Sequence, residues 1–185
     1  MKVYLAGPEI FLPEAAEIGA RQKAICRKYG IAAHFPLDSS VDIAGLAPQD
    51  AARAIFLANL EAIDAADAVI ANMMPFRGPG MDGGTAFEMG YAHAKAIPIY
   101  AYTNDPRTYL GRSRALGLVA RVDSGGKSRD VHGLEIEDFG LVDNLMMGCA
   151  VGGPAKPIFW HGAQGLDTGL TMFEAAVQAA AHAFR

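Results

Sequence analysis

Short apolar runs alternate along this chain with longer stretches in which apolar residues recur every three or four positions. Val3 to Ala6 is one such run, closed by Gly7-Pro8, the pattern of a buried, central first strand followed by a sharp change of direction. Pro13 to Tyr29 carries Ile18, Ala24 and Ile25 among Ala, Glu, Arg and Lys. Its early proline and the Gly30 just beyond its end predict a helix. Ile31 to Phe35 reads as a second strand. Gln49 to Ala65 sets Ala51, Ile55, Ala58 and Ala62 at helical spacing, with Phe56, Leu60 and Ile63 widening the stripe. Asp67 to Met73 follows as a third strand, Met74 to Gly84 as a loop rich in Gly and Pro, Thr85 to Ala96 as a small-residue helix and Ile97 to Thr103 as a fourth strand.

Beyond Thr103 the periodicity weakens. Asp123 to Gly133 predicts a mobile loop, Leu141 to Met147 a helix and Gly148 to Pro157 another loop. Thr168 to Phe184 predicts a closing helix with Leu170, Phe173, Val177, Ala180, Ala181 and Phe184 on one stripe. Alternating strands and helices predict a single α/β domain over residues 1–185, a doubly wound parallel sheet covered on both faces. Ligands of such sheets bind beyond the carboxyl ends of the strands, which points to the loops Gly7 to Pro13, Pro36 to Pro48 and Met74 to Gly84.

Composition narrows the function classes. With 185 residues, 51% of them hydrophobic, the chain can bury a full core. The 16 Lys and Arg against 20 Asp and Glu leave a net charge of −4, so no basic surface for a nucleic-acid polymer is expected. Cys26 and Cys149 are far apart, and His34, His93, His132, His161 and His182 lack ligand spacing. No disulfide framework, metal or cofactor is therefore expected. No apolar run approaches the roughly 20 residues that cross a bilayer, so no membrane partner and a cytoplasmic location are expected.

Chemistry concentrates in Pro75 to Ala92, where Asp82 and Glu88 flank a helix start. Gly78, Gly80 and Gly83 satisfy a dinucleotide-binding spacing, with Asp105 about 20 residues on. Four residues separate the third strand from the first glycine, however, and Asp82 would face a pyrophosphate. Thr85-x-x-Glu88 also fits a capping box, in which Glu88 would serve only the helix terminus. Against that, Gly83, Gly84, Ala86, Gly90 and Ala92 leave space for a ligand beside the carboxylates.

Several segments together resemble the nucleoside 2-deoxyribosyltransferases, in the branch with a Pro-Phe-Arg-Gly loop. They are Val3-Tyr4-Leu5-Ala6-Gly7-Pro8, Asn59-Leu60, Asp67-Ala68-Val69-Ile70-Ala71-Asn72, Pro75-Phe76-Arg77-Gly78, Gly84-Thr85-Ala86-Phe87-Glu88-Met89-Gly90-Tyr91-Ala92 and Asp143-Asn144-Leu145-Met146. The resemblance implies a flavodoxin- or Rossmann-like sheet of five parallel strands with helices on both faces. It implies transfer of a 2-deoxyribosyl group between nucleobases, part of nucleotide salvage. Glu88 would be the nucleophile that forms a glycosyl ester, Asp82 the acid that protonates the leaving base and Tyr4 the residue that orients Glu88. Asn59 would lie near the base. Asn144 would reach the sugar in a neighbouring subunit's site, which implies a homo-oligomer. Gly7, Phe11, Phe76 and Arg77 complete the candidate substrate-binding set.

An ionised Glu88 could capture an oxocarbenium-like centre if Asp82 supplied a proton to the departing base. The alternatives are an N-glycoside hydrolase of deoxynucleosides or nucleoside 5'-monophosphates with the same nucleophile, and a non-catalytic nucleotide-binding module. Phe11 and Phe76 are candidates for stacking on a base or for the core edge. Arg77 is a candidate for base or phosphate contact or for a plain surface position. Asp38 could meet a sugar hydroxyl or close a turn. Met73, Met74, Met81 and Met89 could line a pocket or fill the core.

Overall fold

The central strand β1 (Lys2–Ala6) shows why the sheet is covered twice. Val3 and Leu5 point to one side, where they meet Cys26, Ile31, Phe35, Ile70, Phe173 and Val177. Tyr4 and Ala6 point to the other, against Ala62, Ile63, Val69, Met89 and Ala92. A strand with both faces apolar needs a helical layer on each, and each aliphatic side chain so buried contributes about 1.5–3 kcal/mol.

In this computed structural model, which describes residues 1–151, 158–159 and 170–184, α1 (Ala15–Lys28) and β2 (Ala32–His34) follow β1. Next come α2 (Pro48–Asp64), β3 (Ala68–Asn72), α3 (Gly83–Ala94) and β4 (Ile99–Tyr102). The four strands are parallel in the order β2-β1-β3-β4. Helices α1 and α6 (Thr171–Ala183) pack on one face, α2 and α3 on the other. The order reverses between β1 and β3, so the ligand crevice of this topology lies where Gly7 and Met73 leave their strands.

The strand count corrects the five implied by the family resemblance. Among the described residues, Phe159 alone pairs beyond β4 in this sheet, its N–H donating to the Ala101 carbonyl (3.1 Å) and its carbonyl accepting from the Thr103 N–H (2.9 Å). One bridged residue does not make a strand among the described residues. The predicted mobile loop at Asp123 to Gly133 holds an antiparallel hairpin, β5 (Arg121–Val122) with β6 (Ser128–Arg129). Asp123 holds it closed by accepting from the amides of Gly125 and Lys127 and from Arg129 Nε, while Gly126 takes a left-handed φ of 78°. The helix predicted over Leu141 to Met147 is α5 (Leu145–Ala150). It starts late because the Asn144 side chain caps it by accepting from the Met146 N–H. Its last residues overlap the loop predicted from Gly148 to Pro157; residues 152–157 lie outside the described residues, as do 168 and 169 of the closing helix. A seven-residue helix, α4 (Tyr109–Ala115), was not anticipated.

Gly7 is needed for close approach rather than for an unusual φ. A Cβ there would lie 2.0 Å from Glu9 Oε2 and 3.1 Å from Asn72 Cβ. Glu9 cannot easily withdraw, because its Oε1 accepts from Asn72 Nδ2 (2.9 Å), Tyr102 OH (2.7 Å) and Gln22 Nε2 (3.2 Å). Gly7→Ala is therefore expected to destabilise the protein by about 1–3 kcal/mol in urea unfolding. An unchanged midpoint would show that the Glu9 carboxyl moves aside freely.

Candidate active site

The start of α3 decides what Glu88 can do. Asp82 is the N-cap, its Oδ2 accepting from the Thr85 amide (2.8 Å) and the Thr85 hydroxyl (2.9 Å). The helix thus begins at Gly83, and the capping box that would have tied Glu88 to Thr85 does not form. Glu88 instead meets Tyr4, whose hydroxyl donates to Glu88 Oε1 at 2.6 Å across the interface between β1 and α3. The Tyr4 ring is fully buried and lies nearly parallel to that of His34, its register partner on β2, at 6.0 Å and 15°.

Burial pushes the Glu88 carboxyl up to about 7. The hydrogen bond from Tyr4 opposes that rise, and the nearby Asp82 charge adds to it. Burial and the Glu88 carboxylate drive the Tyr4 hydroxyl well above its ordinary range, so it remains a donor. At neutral pH Glu88 is divided between its two forms, and positive charge developing beside it would favour the carboxylate. Both groups on Asp82 Oδ2 are donors, so a proton handed on by Asp82 would leave from Oδ1.

Glu88 opens into a groove of about 440 Å³ between α2 and α3, lined by Ile55, Phe56, Asn59, Leu60, Gly84 and Phe87. The Asn59 Oδ1 atom is buried there with no hydrogen-bond partner among the described residues. An orphaned acceptor beside a carboxylate is the kind of group a ligand N–H satisfies. The apolar stripe predicted for α2 is only partly covered, since Ala62 and Ile63 are buried whereas Ile55 and Phe56 are exposed, as is Phe87 on α3.

The sequence profile of the family described as nucleoside 2-deoxyribosyltransferase matches residues 3–146. The chain belongs to this family. An uncharacterized protein of Schizosaccharomyces pombe is 33% identical over 156 residues, covering 78% of this chain and 74% of its own. The 2-desoxiribosyltransferase from Leishmania mexicana superposes with a TM-score of 0.61 at 26% identity, over 96% of this chain and 97% of that one. A conserved protein from Enterococcus faecalis V583, 20% identical with a TM-score of 0.56 over 97% and 98% of the two chains, shares the fold. Family and structural neighbour point to nucleoside 2-deoxyribosyltransferase-type chemistry, and members of the family act on nucleosides and nucleobases.

The other residues singled out in the sequence have different fates. Phe11, Phe76 and Arg77 come together. The two rings stack at 5.3 Å, and the Arg77 guanidinium lies 4.7 Å from the Phe76 ring centre and 5.8 Å from that of Phe11. Arg77 holds a left-handed φ of 56°, a conformation that costs a residue with a Cβ about 1–2 kcal/mol. Asn144 caps α5 and donates its amide to Glu137 Oε1 (2.6 Å). Asp38, by contrast, accepts from the Phe35 amide and pairs with Lys23, as a turn residue does. Met73 and Met89 are fully buried in the core. Asp105, the acid expected by the dinucleotide spacing, is paired with Arg107 and Arg112.

Glu9, Arg112 and Asp143 were missed. Glu9 stands in a loop already marked by the topology, so a carboxylate there was a usable signal. Arg112 gave none, because its partners are distant in sequence, whereas Asp143 stood beside Asn144 in a segment that carries the family resemblance.

Raising the Glu88 pKa in the folded state from 4.5 to about 7 means that its neutral form is favoured by folding. That contribution is complete below the unfolded pKa and is lost as pH rises through about 7. Glu88→Gln should therefore gain stability over the wild type between pH 5 and 8, by roughly 3 kcal/mol as an upper limit. Urea midpoints across that range check it, and a pH-independent difference would contradict the assignment.

Proposed function

We propose that this protein transfers a 2-deoxyribosyl group between nucleobases through an ester on Glu88. The observation that carries this reading is the Tyr4–Glu88 pair opening into a groove that also holds the orphaned Asn59 acceptor. With Tyr4 on Oε1, Oε2 is the oxygen that attacks the anomeric carbon. The N-glycosidic bond breaks, its electron pair leaves with the base, and Asp82, which takes up a proton as Glu88 ionises against the developing positive charge, donates that proton so that the base leaves neutral. A second base then attacks the ester carbon, the carboxylate of Glu88 departs, and a proton from the incoming base returns to Asp82. Asn59 Oδ1 accepts from an N–H of the base, and the Phe11–Phe76–Arg77 stack offers a flat cationic surface to it.

Transfer requires that water be kept from the ester. In a single chain the groove wall is open, with Phe56 45% and Phe87 51% exposed. A second copy covering this wall would exclude water and bring its Asn144 to the sugar, so the transferring species is a homo-oligomer. The same exposure favours hydrolysis as the second reading if the wall stays uncovered.

Mixing the protein with a 2'-deoxynucleoside and a different free base should yield a new deoxynucleoside, followed by chromatography. Free deoxyribose with no new nucleoside would establish the hydrolase, and stoichiometric binding without cleavage a nucleotide-binding module. Glu88→Ala should lose at least about 10³-fold in turnover while remaining folded. Near-normal turnover in that variant would overturn the mechanism.

A further inference from the structure

The loop that delivers Asp82 to α3 is held from outside the groove by a buried cation. Arg112 on α4 is 1% exposed. It donates through Nη1 to the Pro79 carbonyl (3.1 Å) and through Nη2 to the Asp105 carbonyl (2.6 Å). The Asp143 carboxylate lies 3.6 Å from Nη1 and that of Asp105 3.8 Å from Nε. Asp143 then fixes two further amides, accepting from Met81 N–H at Oδ2 and from Asn144 N–H at Oδ1, both at 2.8 Å. Among the described residues, the Arg112–Pro79 and Met81–Asp143 bonds are the hydrogen bonds that tie residues 77–81 to the rest of the chain. The bond from the Phe76 amide to the Gly80 carbonyl stays within the loop.

We infer that Arg112 is a positioning residue for the reaction, acting through Pro79 and Asp143 to set Asp82 against the leaving base and to fix the Asn144 corner in the same register. The inference rests on the proposed glycosyl transfer for its kinetic part. The geometry favours arginine over lysine, because a forked guanidinium reaches two carbonyls and two carboxylates at once, whereas an ammonium is a single point donor. A proton donor displaced by about 1 Å can cost on the order of 10²-fold in rate without weakening substrate binding.

The test compares Arg112→Lys and Asp143→Asn with the wild type by amide hydrogen exchange and by steady-state kinetics of base release. Exchange at Met81 and Thr85 should rise about tenfold or more in Arg112→Lys while the amides of β1 and β3 are unchanged. The kcat should fall by roughly tenfold or more with KM nearly constant, and Asp143→Asn, which retains an acceptor oxygen, should fall between the two. If Arg112→Lys does not fold, Asp143→Asn carries the same comparison. Unchanged exchange over residues 81–85, or a rate loss that tracks only the folded fraction, would overturn the inference. A wild type without nucleoside activity would overturn the proposed function instead, and the exchange data would still decide whether Arg112 holds the loop.

Discussion

Everything at the site depends on holding a carboxyl group in a half-buried position beside a single hydroxyl donor. The Tyr4–Glu88 hydrogen bond joins the central strand to α3, and its chemistry follows from where those two elements lie. Burial alone would leave Glu88 neutral and inert. The tyrosine restores part of the anion's stability, and the opposing effects bring the group to about 7, where a modest change in its surroundings moves it between protonated and ionised forms. Both partners come from rigid elements, so the geometry is set before any ligand arrives.

Three supports keep that pair in place. Asp82 takes the N-cap of α3, which starts the helix one turn earlier than Thr85 would and leaves the Glu88 side chain unclaimed by the backbone. Glu9, gathered by Asn72, Gln22 and Tyr102, ties the turn after β1 to the end of β3, so the two segments that bring Phe11 and Phe76 share one anchor. Arg112 and Asp143 fasten the intervening loop from the far side. Asp82, Glu9 and Asp143 are buried carboxylates that accept two or more hydrogen bonds each, and Arg112 donates through both terminal nitrogens while its Nε makes no hydrogen bond among the described residues.

The elements that were legible in the sequence are those with a strong period. β1 and β3 are apolar on both faces, and α1, α2 and α3 carry helical stripes whose ends differ from expectation by two residues or fewer. The hairpin at residues 121–129 and the short α4 lack that period. They are held by Asp123 and Thr108 bonding to nearby amides, and composition alone made the first look like a mobile loop. Glu88 was open to two readings because Thr85-x-x-Glu88 is a valid capping pattern. The competing cap three residues earlier settled the matter, and that competition is tertiary as much as local, since Asp82 must also be buried. The stripe on α2 was visible, but its exposure was not, because periodicity shows which residues share a face and is silent on what covers it.

Mass analysis of the protein quenched with a 2'-deoxynucleoside in the absence of any acceptor base tests the central claim most directly. The account predicts an increment of one deoxyribosyl group confined to the peptide containing Glu88 and absent from Glu88→Ala. Base release with no adduct at short quench times, or an adduct that persists in Glu88→Ala, would contradict it.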